Sequence, residues 1–88
     1  MIPINTPKVT RVICTYGVFD SSTTRHLPKS DFYSFPKEGR VYTIRDWEKT
    51  YTGEWGVRLL EIQNPVVKFD YGGRKEMVFD PHRFELEK

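Results

Sequence analysis

Residues 36–84 read PKEGRVYTIRDWEKTYTGEWGVRLLEIQNPVVKFDYGGRKEMVFDPHRF. Short runs of Val, Ile, Tyr, Trp and Thr alternate here with Gly and Pro, and nothing of helical length or period interrupts them. Such runs are strands, because branched and aromatic side chains pack well on a pleated surface while Gly and Pro turn the chain. Strands are expected over 40–50 and 54–62, a short one over 66–71, another over 74–80 and a last one over 85–87. Pro65 ends the 54–62 strand, since proline cannot donate to a ladder. Gly72-Gly73 turns the chain back, and residues 81–84 form one tight helical turn. Several short strands in so small a chain make an all-β barrel or sandwich.

The central hairpin carries a register. A three-residue loop, Tyr51-Thr52-Gly53, with Gly53 at positive φ would pair Thr50 with Glu54. Unbroken pairing from there sets Trp47 opposite Val57, Asp46 opposite Arg58, Arg45 opposite Leu59, Ile44 opposite Leu60, Thr43 opposite Glu61 and Tyr42 opposite Ile62. Tyr42, Ile44, Leu60 and Ile62 then face the core, while Trp47, Val57 and Leu59 form an apolar strip on the other side. The expected core is Val12, Tyr42, Ile44, Leu60, Ile62, Met77, Phe79 and Phe84.

The N-terminal third has a different texture. Residues 1–7, with Pro3 and Pro7, read as an extended, partly loose lead-in, and 8–16 as the first strand. The connection over 18–35 is long, polar in its first half, and ends in Phe32, Tyr33 and Phe35, which should dock on something. The chain shows no internal repeat. Its 88 residues are expected to make one domain spanning 1–88, and thirteen aromatic residues supply much of the area a core this small needs.

Charge excludes little. The net charge is +2, and all of it lies in residues 1–35; residues 36–88 carry ten cations and ten anions. One cysteine, Cys14, cannot form an internal disulfide, and within an apolar strand it reads as a small core residue. No apolar run approaches the roughly 18 residues of a membrane span, and the first residues lack a signal-peptide pattern. A soluble cytosolic protein is the expectation.

A turn ending Pro36-Lys37-Glu38-Gly39, then Val41-Tyr42-Thr43-Ile44, a glycine hairpin, Gly56-Val57-Arg58-Leu59-Leu60-Glu61-Ile62, Asn64-Pro65, and a closing Phe79 with Arg83-Phe84 resembles small SH3-like barrel proteins of bacteriophages and prophages. The resemblance covers residues 36–84 and implies an SH3-like barrel of about five strands, with a long aromatic first loop and one helical turn near the C-terminus. It also implies a phage or prophage accessory protein acting by binding. Its small size and lack of catalytic residues add the expectation that it inhibits or redirects a host protein, for example a defence component, in the host cytosol.

The residues themselves offer little chemistry. Cys14, His26 and His82 lack the paired spacing that zinc requires, so no metal or other cofactor is expected. A nucleophile needs a positioned base; His26 lies in a polar loop and His82 beside a proline turn, so no enzyme is expected. Glu61 and Glu76 read as members of an ordinary solvated face. Two binding readings remain. The strip of Trp47, Val57 and Leu59, flanked by Arg45, would be covered either by Phe32, Tyr33 and Phe35 or by a protein partner, a host protein or a second copy, with Trp55 as a further anchor. Alternatively Arg45, Trp47, Lys49 and Tyr51 would make a stacking platform for nucleic acid.

Overall fold

In a computed structural model of the chain, the described residues are 1–18, 33–50, 52–68 and 74–87. Phe32, Tyr51, His26 and the Gly72-Gly73 turn lie outside them. The fold is all-β: β1 Arg11–Cys14, β2 Val41–Lys49, β3 Trp55–Leu59, β4 Val67–Lys68, β5 Arg74–Lys75, a 3₁₀ turn Pro81–Arg83, and β6 Phe84–Leu86. Four strands form one antiparallel sheet in the order β3-β2-β1-β6, and β4 pairs with β5. Among the described residues these ladders do not close into a barrel. Phe79 extends the sheet beyond β3, exchanging both backbone hydrogen bonds with Val57 at 2.9 and 2.8 Å. The chain then crosses through the 3₁₀ turn to the opposite edge.

Local chemistry explains the turns. Thr50 N–H donates to the Glu54 carbonyl at 2.7 Å, and Gly53 sits at φ 89°, the left-handed conformation expected of it. Asp80 caps the 3₁₀ turn, its carboxylate accepting from the His82 N–H at 2.8 Å, and Pro81 brings a φ already suited to a first turn. His82 Nδ1 also lies 2.8 Å from that carboxylate.

The hairpin register holds only near its tip. Trp47 faces Val57 and Asp46 faces Arg58 as expected, but Ile44 faces Leu59, not Leu60. Arg45 is the extra residue of a β-bulge. One inserted residue reverses the alternation beyond it. Ile44 and Trp47 therefore share a face despite their odd spacing, together with Val57 and Leu59. Val57 and Leu59 have no exposed surface, while Leu60, expected in the core, is 47% exposed. The outer apolar strip of the unbroken register does not exist. Ile62 is still buried, reached by a turn rather than by continued pairing.

The core gathers Ile2, Val12, Cys14, Tyr42, Ile44, Val57, Leu59, Ile62, Met77, Phe79 and Phe84, with Tyr33, Phe35 and Trp47 packed against it. Seven of the eight expected core residues are there. Gly56 is buried beneath Val78, and a Cβ in its place would lie 2.2 Å from a Val78 methyl, so no larger residue fits.

The lead-in is docked rather than loose. Ile2 is completely buried, and its N–H donates to the Pro81 carbonyl at 3.2 Å. The first strand is shorter than expected because residues 3–10 are two successive turns: Thr6 N–H returns to Pro3 O, and Thr10 N–H to Pro7 O. Asn5 and Val9 stand at the same turn position with φ 65° and 63°. Pro-Ile-Asn-Thr and Pro-Lys-Val-Thr are thus a tandem repeat of one turn, missed in the sequence because its middle residues differ. Asparagine tolerates this backbone, but a β-branched residue is strained there. Val9 is 69% exposed, so packing recovers little of that strain. Val9→Gly is expected to stabilise the fold by about 0.5–1 kcal/mol, read as a higher denaturation midpoint with an unchanged slope.

Candidate functional site

The bulge makes Arg45 a structural bridge. Its Nε donates to the Leu59 carbonyl opposite the extra residue at 3.2 Å, and Nη2 to the Ile62 carbonyl at 3.1 Å. Its two terminal nitrogens grip the Glu76 carboxylate, Nη1 at 2.9 Å and Nη2 closer still. That carboxylate also accepts the Asn64 backbone N–H at 3.0 Å. Asn64 in turn pairs its side-chain amide with both backbone groups of Ser34, at 2.6 and 2.9 Å. Arg58, buried on the outer face of β3, donates to Asp46 at 3.1 Å, to Glu48, and twice to the Glu76 carbonyl at 3.2 and 2.8 Å. Glu76 is therefore a hub: its carboxylate holds one arginine of the hairpin and its carbonyl the other.

These groups correct the solvated-face reading of Glu76, whose side chain is only 13% exposed. Glu61 does lie exposed, as that reading has it, and accepts from the Thr43 N–H and hydroxyl, both at 2.7 Å. Burial pushes the Glu76 carboxyl up, but the Arg45 and Asn64 hydrogen bonds and the charges of Arg45 and Arg58 outweigh it, so it sits below the ordinary carboxylate range. Glu48 is lowered by its hydrogen bond from Arg58, against desolvation, with help from Lys75. Burial also pushes Glu61 up, and the Thr43 hydrogen bonds bring it down further. Burial raises the Cys14 thiol.

A folded-state carboxyl below its unfolded value stabilises the fold above the unfolded pKa, and that stability is lost as pH falls through the folded pKa. Glu76→Gln is expected to cost about 1–2 kcal/mol near neutrality, since it weakens a mostly buried charged hydrogen bond. The gap to the unsubstituted chain should narrow as pH falls through and below the ordinary carboxylate range. Chemical denaturation repeated from about pH 7 to about pH 2 reads both.

The expected binding residues therefore disperse. Val57 and Leu59 are core, Arg45 is consumed by the bulge, and Trp47 packs on the core with its Nε1 donating to the Thr6 carbonyl at 2.8 Å. Tyr33 and Phe35 dock on the core itself, not over a separate outer strip. Phe32 and Tyr51 lie outside the described residues. Trp55 remains at the surface, half-buried at the hairpin tip, with Lys49 Nζ 5.4 Å from its ring centroid. Lys75 reaches the same corner, its ammonium donating to the Lys49 carbonyl at 3.2 Å and pairing with Glu48 at 3.3 Å.

Sequence reading also missed two buried arginines. Besides Arg58, Arg83 is buried, donating to the carbonyls of Tyr16 and Val18 at 3.1 and 2.8 Å and stacking over the Tyr16 ring. Arg83 has no local signal, because its acceptors are backbone groups far along the chain. The hairpin register does set Asp46 opposite Arg58; what it misses is the burial of Arg58 and its bonds to the Glu76 carbonyl. Among the described residues no three His, Cys, Asp or Glu side chains cluster as metal ligands would, and no helix is long and apolar enough to cross a membrane. No protein-family model matches the chain, and neither does any curated protein or solved structure compared with it.

Proposed function

We propose that the chain is a non-catalytic protein-binding module of SH3-like plan, a phage or prophage accessory protein that engages a host protein, a defence component being one such target. The order of elements supports the plan: strand, long first connection, hairpin, short strands, one 3₁₀ turn, final strand. The observation that carries the binding reading is the Lys49–Trp55 pair, an aromatic ring and a cation at the end of the β2–β3 hairpin. Tryptophan is among the side chains that dominate protein contacts, and an indole supplies much area for little lost entropy.

A second reading has its own support. Lys75 brings another cation to the Trp55 corner, and rings edged by cations also take single-stranded nucleic acid. Affinity capture from a host lysate, followed by titration of the purified partner, separates the two. Protein binding should be weakened at least tenfold by Trp55→Ala, with the melting temperature nearly unchanged. Fluorescence anisotropy with mixed oligonucleotides should show no binding. Binding that weakens steeply with salt would transfer the site to nucleic acid.

A further inference from the structure

Residues 33–35 lie on the core without belonging to any ladder. Ser34 is held by Asn64, whose amide accepts its N–H and donates to its carbonyl much as a neighbouring strand would. Asn64 is buried and tied through its own N–H to Glu76, so the clasp stands on the sheet's arginine–carboxylate hub. The rings on either side of Ser34, Tyr33 and Phe35, are only partly buried. The next two residues are anchored separately. Pro36 is fully buried, and the Lys37 N–H donates to the Tyr42 hydroxyl at 2.7 Å. The segment thus has its own holding point and a fixed neighbour to pivot against.

One group works against docking. The Tyr33 hydroxyl is buried and has no hydrogen-bond partner. In water it would have two or three, so the docked state carries a desolvation cost that lifting relieves. We infer that residues 33–35 form a releasable strap, which lifts from the core as a unit while the sheet stays folded, Asn64 holding it down and the Tyr33 hydroxyl favouring release. Such sub-global opening is the expected behaviour of a segment with few ladder bonds packed on a stable sheet. Lifting bares the apolar surface beneath two rings without moving β2 or β3. The strap is independent of the binding function proposed above.

Amide hydrogen exchange of the full chain, followed by NMR, tests it. The Ser34 N–H reports the strap; the Val57 and Ile44 N–H groups, bonded to Phe79 and Thr10, report the sheet. Ser34 should exchange at least about 100-fold faster than either sheet amide once intrinsic rates are removed. Tyr33→Phe keeps the ring and removes the unpaired hydroxyl, and should slow Ser34 roughly tenfold while the sheet amides keep their rates. Ser34 as protected as Val57 would mean that the strap opens only with the whole fold, and would overturn the inference. A Tyr33→Phe variant in which Ser34 is unchanged or faster, or in which all three amides slow together, would overturn it equally.

Discussion

Leu59→Ala is expected to cost about 2–5 kcal/mol, whereas Leu60→Ala, one residue away, should stay within about 0.5 kcal/mol. Leu59 has no exposed surface and sits in the core opposite Ile44; Leu60 is turned outward and nearly half exposed. Truncating the first removes apolar contact and leaves a cavity, and the second loses little of either. The pair is a direct test of the bulge, because the unbroken register exchanges their roles. Denaturant titration of the two variants decides it. Equal losses, or a larger one at Leu60, would remove the extra residue at Arg45.

Trp47→Ala should be nearly as damaging, at about 3 kcal/mol, which in a domain of this size lowers the melting temperature by roughly 12–24 °C. The indole packs against the core, and its N–H is the described tie between β2 and the lead-in turn at Thr6. Trp47→Phe keeps most of the packing but leaves the Thr6 carbonyl without that donor, and should lose about 1 kcal/mol. A melt of the alanine variant within a few degrees of the unsubstituted chain would return Trp47 to the surface and to the list of binding residues.

Both predictions turn on a feature that periodicity could not supply. Near the hairpin tip, pairing is set by a three-residue loop and a left-handed glycine, so Thr50 with Glu54 and Trp47 with Val57 were legible. Two and three residues beyond Val57, Leu59 and Leu60 stand side by side, and in a strand only one of two neighbours can face the core. An extra residue in the partner strand makes the choice. Its stabilisation comes from Glu76, 31 residues beyond Arg45, which no local window connects to the hairpin. The mistaken binding strip follows from the same error, since a slip of one residue moves an entire apolar set to the other face. Of the candidate site, Trp55 survives because it is the first residue of β3, half-buried at the hairpin end where the buried part of the strand has not yet begun.

What this sequence settled alone was what nearest neighbours decide. Val, Ile, Thr and aromatic runs made strands, Gly53 and Pro81 made turns through the backbone angles they permit, and the apolar residues named most of the core. The tertiary structure decided the phase of β2, the burial of Arg58 and Arg83, and the docking of Ile2 and Trp47. Each of these depends on partners distant in sequence. A buried guanidinium or an inserted residue is stable only where the folded chain delivers acceptors to it, and those acceptors exist as a set only after folding.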